Sequence, residues 1–219
     1  MHNISSERNV LLFLEEKTNE WKDNIALGIK SYLGWKELTF KGISVLAQRV
    51  ASYLIDSGIE RGDKIAILSE SMPEWGAALF APVLSGATAV PLDIKLTEYE
   101  LKSILSSCEP KVMLVSSAYL ETAKKLKSEL PFIKEIILID DMGANKDFVS
   151  IYTMKDAVNK KWRHRSSKST ALIIYTSGTT GNPKGVMVSF GNVISQVNAV
   201  SKCFSLGPND NLLSILPMN

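Results

Sequence analysis

The chain has 219 residues, 45% of them hydrophobic and 22% charged, a length and balance suited to one large domain or two small lobes around a packed core. Its formal net charge of +2 is too small to point to nucleic acid, and no basic stripe interleaved with aromatics appears. Cys108 and Cys203, without CxxC spacing, read as free thiols in a reducing compartment; a cytoplasmic location and no structural metal site are expected.

Taken in chain order, the N-terminal MHNISSERNVLLFLEEK lacks a basic region before its short apolar run and does not read as a secretory signal. IALGIKSYLGWKELTF (25–40) predicts two short strands around Gly34. Thr39 can cap a helix in which Phe40, Ile43, Leu46, Ala47, Val50 and Leu54 recur at helical spacing until Gly58. KIAILS (64–69) is a strand. Trp75–Leu92 is free of charge over 18 residues and imitates a membrane span. Gly76, Pro82, Gly86 and Pro91 interrupt it, however, so the expectation is a helix opened by a Ser71–Glu74 capping box, a turn at Ser85-Gly86 and a buried strand.

Thr97 and Glu100 form a second capping box before a helix bearing Leu101, Ile104 and Leu105, which Glu109-Pro110 ends. KVMLVS (111–116) is a strand, a helix through Tyr119, Leu120, Ala123 and Leu126 follows, and EIILID (135–140) is the next strand. Strands with continuous apolar residues, joined through helices, imply an α/β fold: a parallel sheet with helices on both faces. Residues 141–169 read as a connector between a lobe over 1–140 and a second lobe beginning at 170. Within it lie a short helix (Ile151–Val158), a surface histidine (His164) and a basic cluster, KKWRHRSSK (160–168), taken as a solvated linker. TALIIYTS (170–177) and KGVMVSF (184–190) are strands, Asn192–Cys203 a helix, and NLLSILPM (211–218) the start of another core strand.

The loop between the first two of these, YTSGTTGNPKGV (175–186), combines glycines, hydroxyls and one cation. Glycines bring backbone N–H groups close to a ligand, adjacent N–H groups favour an anion, and Thr176, Ser177, Thr179 and Thr180 can donate to phosphate oxygens. Lys184 adds a mobile positive charge behind the stiff Pro183. A polyphosphate is the natural guest, the alternative being a Gly/Ser/Thr surface loop with an incidental lysine. The spacing fits neither G-x-x-x-x-G-K-[ST] nor G-x-G-x-x-G, the two commonest phosphate loops.

Tyr175–Gly185 resembles the signature of the AMP-binding, adenylate-forming superfamily, which includes acyl-CoA synthetases, luciferases and the adenylation domains of peptide synthetases. Residues 38–93 and 96–114 follow the same family's pattern, so the resemblance covers roughly residues 20 to 219. It implies a two-step ligase. A carboxylic acid, such as a fatty acid, attacks the α-phosphate of ATP to give an acyl-adenylate, and coenzyme A then displaces AMP. By that resemblance Thr176, Ser177, Gly178, Thr179, Thr180 and Gly181 wrap the β- and γ-phosphates, Lys184 steadies them or the leaving pyrophosphate, and Thr176 contacts Mg²⁺. Tyr175 is read as packing at the strand end.

The sequence departs from the pattern where Ser169 and Thr170 replace an expected Asp, and where Phe190 follows Ser189 in place of His. The Tyr-Gly-x-Thr-Glu segment, the ribose-binding acid and the catalytic lysine of a C-terminal domain have no counterpart within the 219 residues. The expectation is therefore a truncated N-terminal part of an acyl-CoA synthetase, inactive by itself and prone to associate, as a homo-oligomer or an aggregate, through an unpaired sheet edge. Two alternatives stay open: an amino-acid adenylation module, and a non-catalytic structural or dimerising lobe with a vestigial loop.

Overall fold

The chain enters through an antiparallel hairpin, β1 (Ile25–Ser31) and β2 (Gly34–Thr39), in the computed structural model, which describes residues 18–157, 162–163, 165–176, 183–204, 207 and 209–215. The Thr39 hydroxyl accepts the Gly42 N–H at 3.0 Å and starts α1 (Phe40–Asp56). Strand β3 (Lys64–Leu68), α2 (Glu74–Ser85), β4 (Thr88–Pro91), α3 (Glu98–Cys108) and β5 (Val112–Val115) follow. Then come a short 3₁₀ turn, α4 (Leu120–Glu129), β6 (Glu135–Leu138) and β7 (Val149–Ser150). Strands β8 (Thr170–Thr176) and β9 (Lys184–Ser189) and helix α5 (Phe190–Cys203) complete the described elements.

Seven strands form one sheet in the order β7-β6-β5-β3-β4-β8-β9. Every neighbouring pair is parallel except β8 with β9. The continuous apolar runs serve both faces at once, because successive side chains point to opposite sides. Ile65 and Ile67 of β3 and Val112 and Leu114 of β5 join α1 and α2 in one core; Ala66, Leu68, Met113 and Val115 join α3 and α4 in the other. This is the two-faced α/β sheet expected from the sequence.

The charge-free stretch from Trp75 to Leu92 is buried inside this frame as α2 and β4, and among the described residues no helix is long and apolar enough to cross a membrane. Between the two elements Gly86 takes φ 81°, and a Cβ there would meet Arg163 Cβ at 2.9 Å, so conformation and space both demand glycine. Thr97 and Glu100 form both halves of their capping box.

Four expectations need correction. The capping box at Ser71–Glu74 does not form: Pro73 is the cap residue and supplies no side-chain bond. Glu74 is instead fully buried, taking the Lys36 ammonium at 2.7 Å and a hydrogen bond from the Tyr152 hydroxyl. A carboxylate removed from water goes to the cation and donor that offset its desolvation, here from β2 and from the segment after β7. The short helix Ile151–Val158 is absent over 151–157, where turns follow β7, and Val158 lies outside the described residues. There the Thr153 hydroxyl donates to the Ser150 carbonyl at 3.0 Å and accepts the Ser150 N–H at 3.3 Å, offering the backbone an alternative to helix.

The two described arginines of the basic cluster are not part of a solvated linker. Its half-buried Arg165 donates to the Gly86 and Ala87 carbonyls at 3.3 and 3.4 Å and to Thr88 Oγ1 at 3.1 Å, while Arg163 donates to the Ile59 carbonyl. Finally, residues 211–215 form no strand, and Leu212, Leu213 and Ile215 are exposed. A strand needs a ladder partner, and none of the ladders among the described residues includes 211–215. Residues 216–218 and His164 lie outside the described residues.

Candidate functional site

Because β3 to β8 run parallel, their carboxyl ends share one rim of the sheet, the rim at which open α/β sheets bind ligands. Two places on it can be compared. One is the boundary between β3 and β5, where chain connections depart in opposite directions. Its polar groups satisfy each other: Ser116 Oγ donates to the Glu70 carboxylate, and Ser117 donates to Asp140 through N–H at 2.8 Å and Oγ at 2.9 Å. The carboxylates of Glu70 and Asp140 would repel a phosphate chain at this place.

The other place is the end of β8. The strand runs out at Thr176, and β9 begins at Lys184 directly across from it in the antiparallel register. Thr176 and Lys184 are therefore brought together at the closing end of a hairpin, both exposed, on the face they share with Ile174 and Val186. Among the described residues no carboxylate forms an ion pair with Lys184. Ser177, Gly178, Thr179, Thr180 and Gly181 lie outside the described residues.

Tyr175 points to the opposite face. Its hydroxyl donates to Ser107 Oγ at 3.0 Å, in the last turn of α3, and its ring packs against the core beneath α3 and α4. Burial is the main cause that lifts its phenol above the ordinary range, so the hydroxyl stays protonated at neutral pH. The expected packing role is what this arrangement provides. Ser107 itself carried no signal, since it stands 68 positions from its partner.

Phe190, where the family pattern has a histidine, is buried, and Arg165 lies over its ring at 6.0 Å. Ser189 caps α5 with Asn192 in a complete capping box. Cys108 and Cys203 are both free, Cys108 buried and Cys203 exposed. Burial pushes the Cys108 thiol up to about 11, which leaves it a neutral, inert core group at physiological pH.

Among the described residues no cluster of three or more His, Cys, Asp or Glu could hold a metal. The Thr176 hydroxyl is nevertheless a hard oxygen donor of the kind Mg²⁺ accepts, and that ion typically takes one or two protein oxygens and completes its shell with phosphates and water. The donor set thus suits a metal that arrives with a nucleotide and not one resident in a protein cage.

A sequence profile of the family described as AMP-binding enzyme matches residues 14–219. The chain is 26% identical over 220 residues to the long-chain-fatty-acid–CoA ligase ACSBG1 of Homo sapiens, covering 93% of this chain and 30% of that protein. It is 30% identical over 200 residues to the hybrid PKS-NRPS synthetase poxE of Penicillium oxalicum, covering 91% of this chain and 4% of that one. Among solved structures, a natural red emitting luciferase from Phrixothrix hirtus superposes with a TM-score of 0.77 at 25% identity, over 87% of this chain and 47% of its own. The chain thus spans about 30% of the length of the ligases it matches.

Proposed function

From the premise that the chain belongs to the family of AMP-binding enzymes, we propose that it is the part of an ATP-dependent acid–thiol ligase that receives the triphosphate. The observation that carries this reading is the pairing of Thr176 with Lys184, which has no ion-pair partner among the described residues, at the end of the β8–β9 hairpin, on the rim where parallel sheets bind ligands. In the reaction proposed, an oxygen of the acid's carboxylate bonds to the α-phosphorus of ATP, and the bond from that phosphorus to the bridging oxygen of pyrophosphate breaks. The thiol of coenzyme A then attacks the acyl carbon and AMP leaves. Two anions meet in the first step, so the site must neutralise charge on the triphosphate tail without obstructing its α-phosphorus.

Lys184 supplies that charge on the β- and γ-phosphates, and on pyrophosphate as it leaves. Thr176 with Ser177, Gly178, Thr179, Thr180 and Gly181 supplies hydroxyl and N–H donors. A Mg²⁺ held through Thr176 and the phosphates would withdraw charge from the same oxygens. Resemblance to long-chain-fatty-acid–CoA ligases favours a fatty acid. The resemblance to a hybrid PKS-NRPS synthetase supports the second reading, an amino-acid adenylation module.

Calorimetric titration of the chain with Mg·ATP tests the proposal. Lys184→Ala, which removes one charged contact worth about 1.5–3 kcal/mol, is expected to weaken binding about 10- to 100-fold; Thr179→Ala should weaken it less. Equal affinity in all three proteins would favour a non-catalytic lobe with a vestigial loop. Pyrophosphate exchange driven by fatty acids and by amino acids, on a form extended to the relatives' length, separates the two substrate classes.

A further inference from the structure

The end of the β8–β9 hairpin is weakly tied to the rest of the sheet. β9 is an edge strand, and β8 meets β4 in a single register pair, Ala89 with Leu172. From Ile174 onward, β8 has no ladder partner on its β4 side, and a two-stranded hairpin alone is at best marginally stable in water. Yet this is where Thr176 and Lys184 face each other. The Tyr175 hydroxyl ties this end of the hairpin to the last turn of α3 through Ser107.

Gly185 belongs to the same construction. It stands opposite Tyr175 in the register, and a Cβ on it would lie 2.9 Å from Ile173 Cγ2, 3.1 Å from Tyr175 Cζ and 3.3 Å from Tyr175 Cε1. The tyrosine ring therefore lies across the backbone of the residue next to Lys184 and fills the space a side chain would need. With its hydroxyl anchored on α3, the ring clamps β9 from one face while Lys184 projects from the other.

We propose that Tyr175 is a positioning residue, which holds Thr176 and Lys184 in register for the nucleotide by pinning Gly185 under its ring and its hydroxyl on Ser107. The inference rests on the reading of Thr176 and Lys184 as nucleotide contacts, and its geometric half can be measured without any nucleotide. Tyr175→Phe keeps the ring and removes the tether, Ser107→Ala removes the other end, and Ser107→Thr restores a hydroxyl. Gly185→Ala displaces the ring.

Hydrogen exchange of peptides covering 170–176 and 184–189 is read together with the thermal midpoint and the Mg·ATP affinity. Tyr175→Phe and Ser107→Ala should each speed exchange in these two strands, leave exchange in β3 and β5 unchanged, and weaken Mg·ATP by about 2- to 10-fold, the effect of one neutral hydrogen bond. Because they cut the same tether, the double variant should be no weaker than either single one, and Ser107→Thr should recover both exchange and affinity. Unchanged exchange, an additive double variant, or no rescue by Ser107→Thr would overturn the proposal. So would wild-type affinity in Tyr175→Phe alongside a weakened Lys184→Ala. If Lys184→Ala itself binds Mg·ATP like the wild type, the nucleotide reading fails, while faster exchange in Tyr175→Phe would still establish the tether.

Discussion

Strands β5 and β9 belong to one sheet and differ in almost everything that stabilises a strand. Each residue of β5 is buried between two layers of helices, with β3 on one side and β6 on the other. β9 has one neighbour, and its residues from Lys184 to Met187 are exposed, Met187 to 71%. The candidate site sits on the second kind of strand. A dry parallel centre can hold the sheet rigid, but it has no free polar groups to offer; an edge hairpin has them, and must then be held in place by a few specific contacts.

Substitutions can break or sharpen that contrast. Leu114→Ala, at the fully buried centre of β5, should lower stability by about 2–5 kcal/mol, whereas Met187→Ala on β9 should stay within about 0.5 kcal/mol. Urea unfolding of both variants measures the difference, and a comparable loss from the two would erase the distinction between core and edge. Next in size is Tyr152→Phe, which removes a donor from the buried Glu74 carboxylate, whose second oxygen has no hydrogen-bond partner among the described residues. A loss of about 1.5–3 kcal/mol is expected, as for a hydrogen bond to a charged group. A loss below about 0.5 kcal/mol would mean that Lys36 alone sustains the charge.

The last effect is confined to high pH and is absent at neutrality. The Cys108 thiol is held up to about 11 by burial, while in the unfolded chain a thiol titrates near about 8.5. Its contribution to stability is therefore intact below that lower value and is lost as pH rises through the interval toward the higher one. The stability of wild type relative to Cys108→Ala should decline across that interval. In the same range a thiol reagent should label Cys203 quickly and Cys108 only on unfolding, and rapid labelling of both in the folded protein would contradict the burial.

Local chemistry was legible where one segment contains both partners. The capping box at Thr97 and the helix stop near Gly58 involve residues within four positions of each other, and the sequence pattern places them correctly. The reading failed where a distant group outcompeted a local one. Glu74 fits the spacing of a capping box, yet it pairs with Lys36 and Tyr152; Arg163 and Arg165 look like part of a solvated run, yet they bind carbonyls at Ile59 and around Gly86. Thr153 rewrote a helical pattern into turns with its own hydroxyl. At the candidate site, residue types announced phosphate chemistry, but nothing in the spacing indicated Ser107 as the anchor of Tyr175.

By itself the sequence determined the alternation of strand and helix and the two-faced burial of β3 to β6, because each depends on composition and periodicity within a dozen neighbouring residues. Tertiary structure decided the strand order, the partners of Glu74 and Arg165, and the clamp of Tyr175 on Gly185 and Ser107. Those depend on which surfaces meet once apolar faces are buried, and a buried charge or hydroxyl takes the partner that folding brings near, however far away it lies along the chain.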